Sequence, residues 1–80
     1  MEEGNYYTLH ENIRRARMVA NKTPEEVAEE AGIDVGHYLD IEEGELVPTI
    51  YQLGCIAEAL DHPAQELVRQ PPKLRSYRFN

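Results

Sequence analysis

Apolar residues along the chain recur at helical spacing, and punctuation between them is dense. Leu9, Ile13, Ala16 and Ala20 stand at i, i+3 and i+4 and predict an amphipathic first helix over Leu9–Val19. Asn21, which tolerates the left-handed conformation, closes it. Thr23-Pro24-Glu25-Glu26 combines an N-cap, a first-turn proline and a glutamate three residues after the cap, so a second helix runs to Ala31 with Val27, Ala28 and Ala31 inward. Gly32 breaks it, and Asp34 caps a third helix to about Glu43 with Tyr38 and Ile41 inward and Gly44 as its stop. Thr49-Ile50-Tyr51-Gln52 repeats the capping box, and the fourth helix is expected to bury Ile50, Leu53, Ile56, Ala57 and Leu60. Asp61-His62-Pro63 starts a short fifth helix through Val68, and Pro71-Pro72 ends helical structure. The expectation is an all-α fold: five short helices over residues 9–68, an N-terminal segment 1–8 and a basic tail 69–80. Residues 74–79 alternate apolar and polar, so they read either as a tail that orders against something or as a lone edge strand.

The 80 residues allow one small domain, whose folding removes roughly 60–65% of the chain's surface from water. That core is too small for a deep walled pocket. Cys55 is the single cysteine; it is expected to be a buried, inert thiol, and no internal disulfide is available. His10, His37 and His62 share no ligand spacing, so no metal site and no cofactor are expected. No acid–base pair, phosphate loop or nucleophile elbow is visible, which argues against an enzyme. No apolar run is long enough to span a membrane, and the acidic start is unlike a signal peptide, so the cytoplasm is the expected location.

Net charge is −7, unevenly placed. Residues 1–22 set Glu2, Glu3 and Glu11 against Arg14, Arg15, Arg17 and Lys22. Residues 23–68 carry twelve Asp and Glu and no Lys or Arg, whereas 69–80 carry Arg69, Lys73, Arg75 and Arg78 with no acid. An acidic middle thus lies between basic ends. The tail reads as a solvated extension, as an arm on phosphates, or as a segment pairing with a partner's acidic middle. Tyr6, Tyr7, Tyr77 and Phe79 cluster at the termini, where they either pack the two ends together or bury across a dimer interface.

The second and third helices, joined by a short turn at Gly32, form a helix-turn-helix arrangement. Ala28, four residues before Gly32, permits close crossing, and Ile41, nine beyond, anchors the third helix. With Ile13-Arg14-x-x-Arg17, Thr23-x-Glu25-Glu26-Val27-Ala28-x-x-Ala31-Gly32-Ile33, Tyr38-Leu39-x-Ile41-Glu42-x-Gly44, Pro48-Thr49, Ile56-Ala57-x-Ala59-Leu60 and Glu66-Leu67, the chain resembles the Cro/repressor-like (Xre-type) helix-turn-helix family over residues 9–68. The resemblance implies a lambda-repressor-like domain and a small transcriptional regulator that binds operator DNA as a homodimer, with half-sites about one helical turn (roughly 34 Å) apart. It places Asp34, Val35, Gly36, His37 and Asp40 of the third helix toward the major groove. It makes Arg14, Arg15, Thr49 and Gln52 phosphate contacts, the latter two through backbone amides and the helix dipole, and makes Arg17–Glu42 a structural ion pair.

Departures from the family pattern open a second reading. Pro24 stands where members carry Gln, the groove-facing positions lack Arg, Lys, Asn and Gln, and the following loop is Glu45-Leu46-Val47. Val35, Leu39 and Leu46 fall on the same face. The alternative is a helix-turn-helix domain used for protein–protein contact, or an acidic surface that competes with DNA.

Overall fold

The computed structural model describes residues 8–69, and the terminal aromatic and basic residues Tyr6, Tyr7, Lys73, Arg75, Tyr77, Arg78 and Phe79 lie outside the described residues. Five helices follow one another: α1 Thr8–Val19, α2 Pro24–Ala31, α3 Val35–Glu42, α4 Ile50–Ala59 and α5 Ala64–Val68. Among the described residues there is no strand.

Both expected capping boxes close α2 and α4 at their N-termini. Glu26 N–H donates to Thr23 Oγ1 at 3.1 Å while Thr23 N–H donates to Glu26 Oε1 at 2.8 Å. Gln52 N–H and Thr49 N–H repeat the exchange at 3.0 and 2.9 Å. Asp34 caps α3 through its carboxylate, which accepts from His37 N–H at 3.2 Å.

The C-termini of the first four helices share one device. A left-handed residue follows each helix: Asn21 (φ 61°), Gly32 (72°), Gly44 (82°) and Asp61 (55°). At each, its own N–H and the next residue's N–H turn back onto the last helical carbonyls, the paired bonds of a Schellman motif. For α2 these are Gly32 N–H to Glu29 C=O (3.1 Å) and Ile33 N–H to Ala28 C=O (2.9 Å). For α4 they are Asp61 N–H to Glu58 C=O (3.0 Å) and His62 N–H to Ala57 C=O (2.9 Å). Asp61 therefore closes α4 instead of starting α5, which begins only after Pro63.

Ile13, Val27, Tyr38, Ile41, Ile56 and Leu67 are the largest fully buried side chains. α2 packs on both α4 and α3, while α1 holds α5 and α3. Asn12 secures the end of α5, its Nδ2 donating to Leu67 C=O at 2.7 Å and Arg69 C=O at 2.8 Å. Two expectations about packing are corrected. Ile50 is 90% exposed, because it occupies the first position of α4, where no neighbouring element covers the inward stripe. Cys55 is half-buried rather than enclosed.

Candidate nucleic-acid interface

The α2–turn–α3 unit divides α3 into an inner and an outer face. Tyr38, Ile41 and Glu42 point into the domain, and Val35, Gly36, Leu39 and Asp40 point out. Asp34 is exposed and committed to its cap. His37 lies on the flank toward α4, half-buried, with its Nε2 3.4 Å from Gln52 Nε2. An amide NH₂ can only donate, so this contact requires the His37 tautomer that accepts at Nε2. The structure thus brings His37 and Gln52 together and leaves Val35, Gly36 and Asp40 as an open surface.

Beneath that surface is the carboxylate of Glu42, only 4% exposed. It accepts from Arg17 Nε at 2.5 Å, Arg17 Nη2 at 3.2 Å and Tyr38 Oη at 2.5 Å. Arg17 Nη1 also donates to Lys22 C=O at 2.9 Å. A charge buried with this many donors is compensated, and the fork of Arg17 ties α1 to the last turn of α3. The bond to Glu42 holds the Arg17 guanidinium above its ordinary pKa. Tyr38 is raised well above the usual tyrosine value, first by burial and then by its bond to Glu42.

The remaining cations are also engaged. Arg14 Nη2 donates to Glu42 C=O at 3.4 Å and its Nε lies 3.8 Å from Glu42 Oε1, so it sits by the C-terminal end of α3. Arg15 Nη1 donates to Asn12 Oδ1 at 3.1 Å, and its side chain lines a hollow with His62, Glu66 and Leu67 on the α5 side of α1. Lys22 Nζ reaches Glu30 Oε1 at 2.6 Å and Ala59 C=O at 2.8 Å. Arg69 Nη1 donates to both carboxylate oxygens of Glu66 at 3.0 Å. Every Lys and Arg among the described residues therefore has an acceptor within the domain.

At α4 the capping box occupies the amides of Thr49 and Gln52. The N–H groups of Ile50 and Tyr51, at the first two helical positions, have no acceptor among the described residues and are the donors this terminus presents outward. The box motif itself carried that information, since an N-cap that serves the third helical amide leaves the first two free. Around them lies an apolar surface: Val47 is 83%, Ile50 90% and Tyr51 80% exposed, beside the partly exposed Leu46, Leu39 and Val35. Exposed Asp40, Glu43 and Glu45 border it. Sequence periodicity missed the Val47, Ile50 and Tyr51 part of this surface.

An α2–α3 pair crossing at a left-handed glycine, with α3 offering one face outward, defines a helix-turn-helix domain. Residues 13–67 match the HTH_3 family, described as helix-turn-helix, and the chain belongs to that family. It is similar to the cryptic phage CTXphi transcriptional repressor RstR of Vibrio cholerae serotype O1, with 37% identity over 59 residues, 74% of this chain and 53% of that protein. The chain thus spans about half the length of this curated relative. The fold resembles that of the restriction-modification controller protein C.AhdI from Aeromonas hydrophila (TM-score 0.74, 22% identity, 78% of this chain and 94% of that one). It also resembles the hypothetical transcription factor NHTF from Neisseria (TM-score 0.78, 24% identity, 85% of this chain and 78% of that one).

Proposed function

We propose that the chain is an Xre-like transcriptional regulator that acts without catalysis, binding operator DNA in the cytoplasm as a homodimer. Residues 9–68 are its helix-turn-helix unit, flanked by 1–8 and 69–80. The observation that carries this reading is the 37% identity over 59 residues to a transcriptional repressor, joined to the open outer face of α3. Val35, Gly36, His37 and Asp40 meet base edges, beginning at the Asp34 cap. The Ile50 and Tyr51 amides, positioned by Thr49 and Gln52, meet phosphate, as do Arg14 and Arg15 once released from Glu42 and Asn12. Fluorescence anisotropy with DNA from upstream of the chain's own gene tests this. Saturable binding at about 50 mM salt is expected, weakening steeply toward 200 mM, with sequence preference altered in His37→Ala. Absence of binding to every such fragment at low salt overturns it.

The apolar surface from Val35 to Tyr51, bordered by Asp40, Glu43 and Glu45, favours a second reading in which the same face binds a protein of basic character. Sequence-specific DNA binding that persists in Leu39→Ser and Ile50→Ser, with no protein recovered on the immobilised chain, removes that reading.

A further inference from the structure

Gln52 stands at the third position of α4 and is engaged at both ends of its amide. Its Oε1 accepts from Thr49 N–H at 2.9 Å, and its Nε2 lies 3.4 Å from His37 Nε2. Turning the amide over would set its NH₂ against the Thr49 N–H, donor against donor, so the cap decides which end faces α3. His37 must then be neutral, with a lone pair on Nε2 and its proton on Nδ1. The backbone N–H of His37 is also committed, donating to Asp34 Oδ2 at 3.2 Å. Its ring Nδ1 has no acceptor among the described residues. The ring borders an open hollow of about 240 Å³ between the α2–α3 turn and α4, so it is reachable from outside. The Ile50 and Tyr51 amides, in the same turn as Gln52, likewise have no acceptor among the described residues. One turn, residues 49–52, therefore offers amide donors of its own and fixes which donor α3 offers.

We propose that Gln52 is a positioning residue for sequence choice: backed by the Thr49 cap, it locks the His37 ring as an Nδ1–H donor, and that donor selects guanine in the major groove. This rests on the reading of α3 as a groove helix. Guanine shows two adjacent acceptors there, N7 and O6, whereas cytosine shows an amine, adenine an amine beside N7, and thymine one acceptor beside a methyl group. A fixed N–H fits guanine and is opposed by the cytosine amine. Among Asp34, Val35, Gly36, His37 and Asp40, only His37 carries a side-chain donor, since Val35 and Gly36 have no polar side-chain atom and the carboxylates only accept. Asp40, exposed and three residues further along α3, supplies an acceptor for the amine of the paired cytosine.

The test is Gln52→Glu in the full chain. Glutamate serves the Thr49 N–H as glutamine does, so the capping box is kept, but the donor facing His37 becomes an acceptor. Long-range proton–nitrogen NMR correlation identifies the protonated ring nitrogen. It is run where each imidazole is neutral, at about pH 8 or above, against a usual histidine pKa of about 6.5. The proton is expected on Nδ1 in the parent and on Nε2 in the variant. Anisotropy titrations on one upstream DNA, with each base pair exchanged in turn, should then show one position where the parent binds guanine about five- to tenfold tighter than other bases. Replacing that guanine by 7-deazaguanine should reduce the margin. The added carboxylate weakens binding of the variant throughout, so the ratio between bases is the readout: at that position it should move toward adenine or cytosine, whose amine meets the freed lone pair, and elsewhere stay unchanged. A parent ring protonated on Nε2 overturns the lock. A proton on Nδ1 with the same base preference in both proteins overturns the role of Gln52 in sequence choice. If the unmodified chain binds no upstream DNA, the regulator reading fails and the guanine assignment fails with it, while the NMR result still reports the His37–Gln52 contact by itself.

Discussion

Tyr38 concentrates the physics of this domain in one side chain. It is fully buried, its ring belongs to the core, and its hydroxyl donates to Glu42. Burial and that bond raise its pKa, so the folded state keeps a proton that the unfolded chain gives up first, near the usual value of about 10. The stabilisation is therefore complete below about pH 10 and is lost as pH rises toward the folded-state value. Arg17, also raised, acts with the same sign at still higher pH. Thermal unfolding between about pH 9 and 11.5 should show the midpoint falling more steeply in the parent than in Tyr38→Phe. The variant starts lower, since Glu42 loses a donor at a cost of about 1–3 kcal/mol. Equal slopes would exclude Tyr38 as the source.

Helix ends, rather than helix interiors, distinguish this chain. α2 and α3 are eight residues each and α5 five, lengths at which isolated helices do not persist in water, so caps and packing decide where they form. Gly32 and Asp61 hold equivalent left-handed positions with opposite chemistry. Replacing Gly32 by Ala places a Cβ at φ 72°, at a cost of about 1–2 kcal/mol, although nothing lies within 4 Å of that Cβ. Asp61→Gly relieves the same strain and should add about 0.5–1 kcal/mol, with chemical denaturation giving an unchanged m-value for both. A loss of stability on Asp61→Gly would mean the carboxylate contributes more than the backbone strain removes. The caps at Thr23, Asp34 and Thr49 were legible because each needs only residues within three positions. The end of α4 was misread because Asp61-His62-Pro63 satisfies both an ending and a beginning locally. Ile50 was misread for a different reason: periodicity assigns a stripe around the helix axis but says nothing of where along that axis the neighbouring helix stops.

On the scale of the whole molecule the charge is segregated. Twelve carboxylates over residues 23–68, with no Lys or Arg among those residues, repel one another, and the ion pairs made by Arg17, Lys22 and Arg69 offset only part of this. The Debye length shortens from about 30 Å at 0.01 M salt to about 8 Å at 0.15 M, which screens the diffuse repulsion more than the close, partly buried Arg17–Glu42 pair. Raising sodium chloride across that range should therefore increase the unfolding midpoint, by about 4 °C for each kcal/mol gained or somewhat more, while weakening DNA binding. A midpoint that falls would assign more stability to the ion pairs than the segregation implies. The charge segregation itself was visible in the sequence. The Arg17–Glu42 pair was expected from the family resemblance, but that Arg14 is also taken was not, since it reaches Glu42 only when α1 crosses α3.

Glu42 has one more consequence. Because α3 is attached to the domain chiefly through the buried Tyr38, Ile41 and Glu42, with His37 against α4, its outer residues Val35, Leu39 and Asp40 can drift without unfolding the protein, provided Asp34 is exchanged only for another capping residue. The surface that decides what is recognised is thereby uncoupled from the surface that keeps the helix in place. A lineage built on this scaffold can change its binding target by a handful of substitutions and never pass through an unstable ancestor.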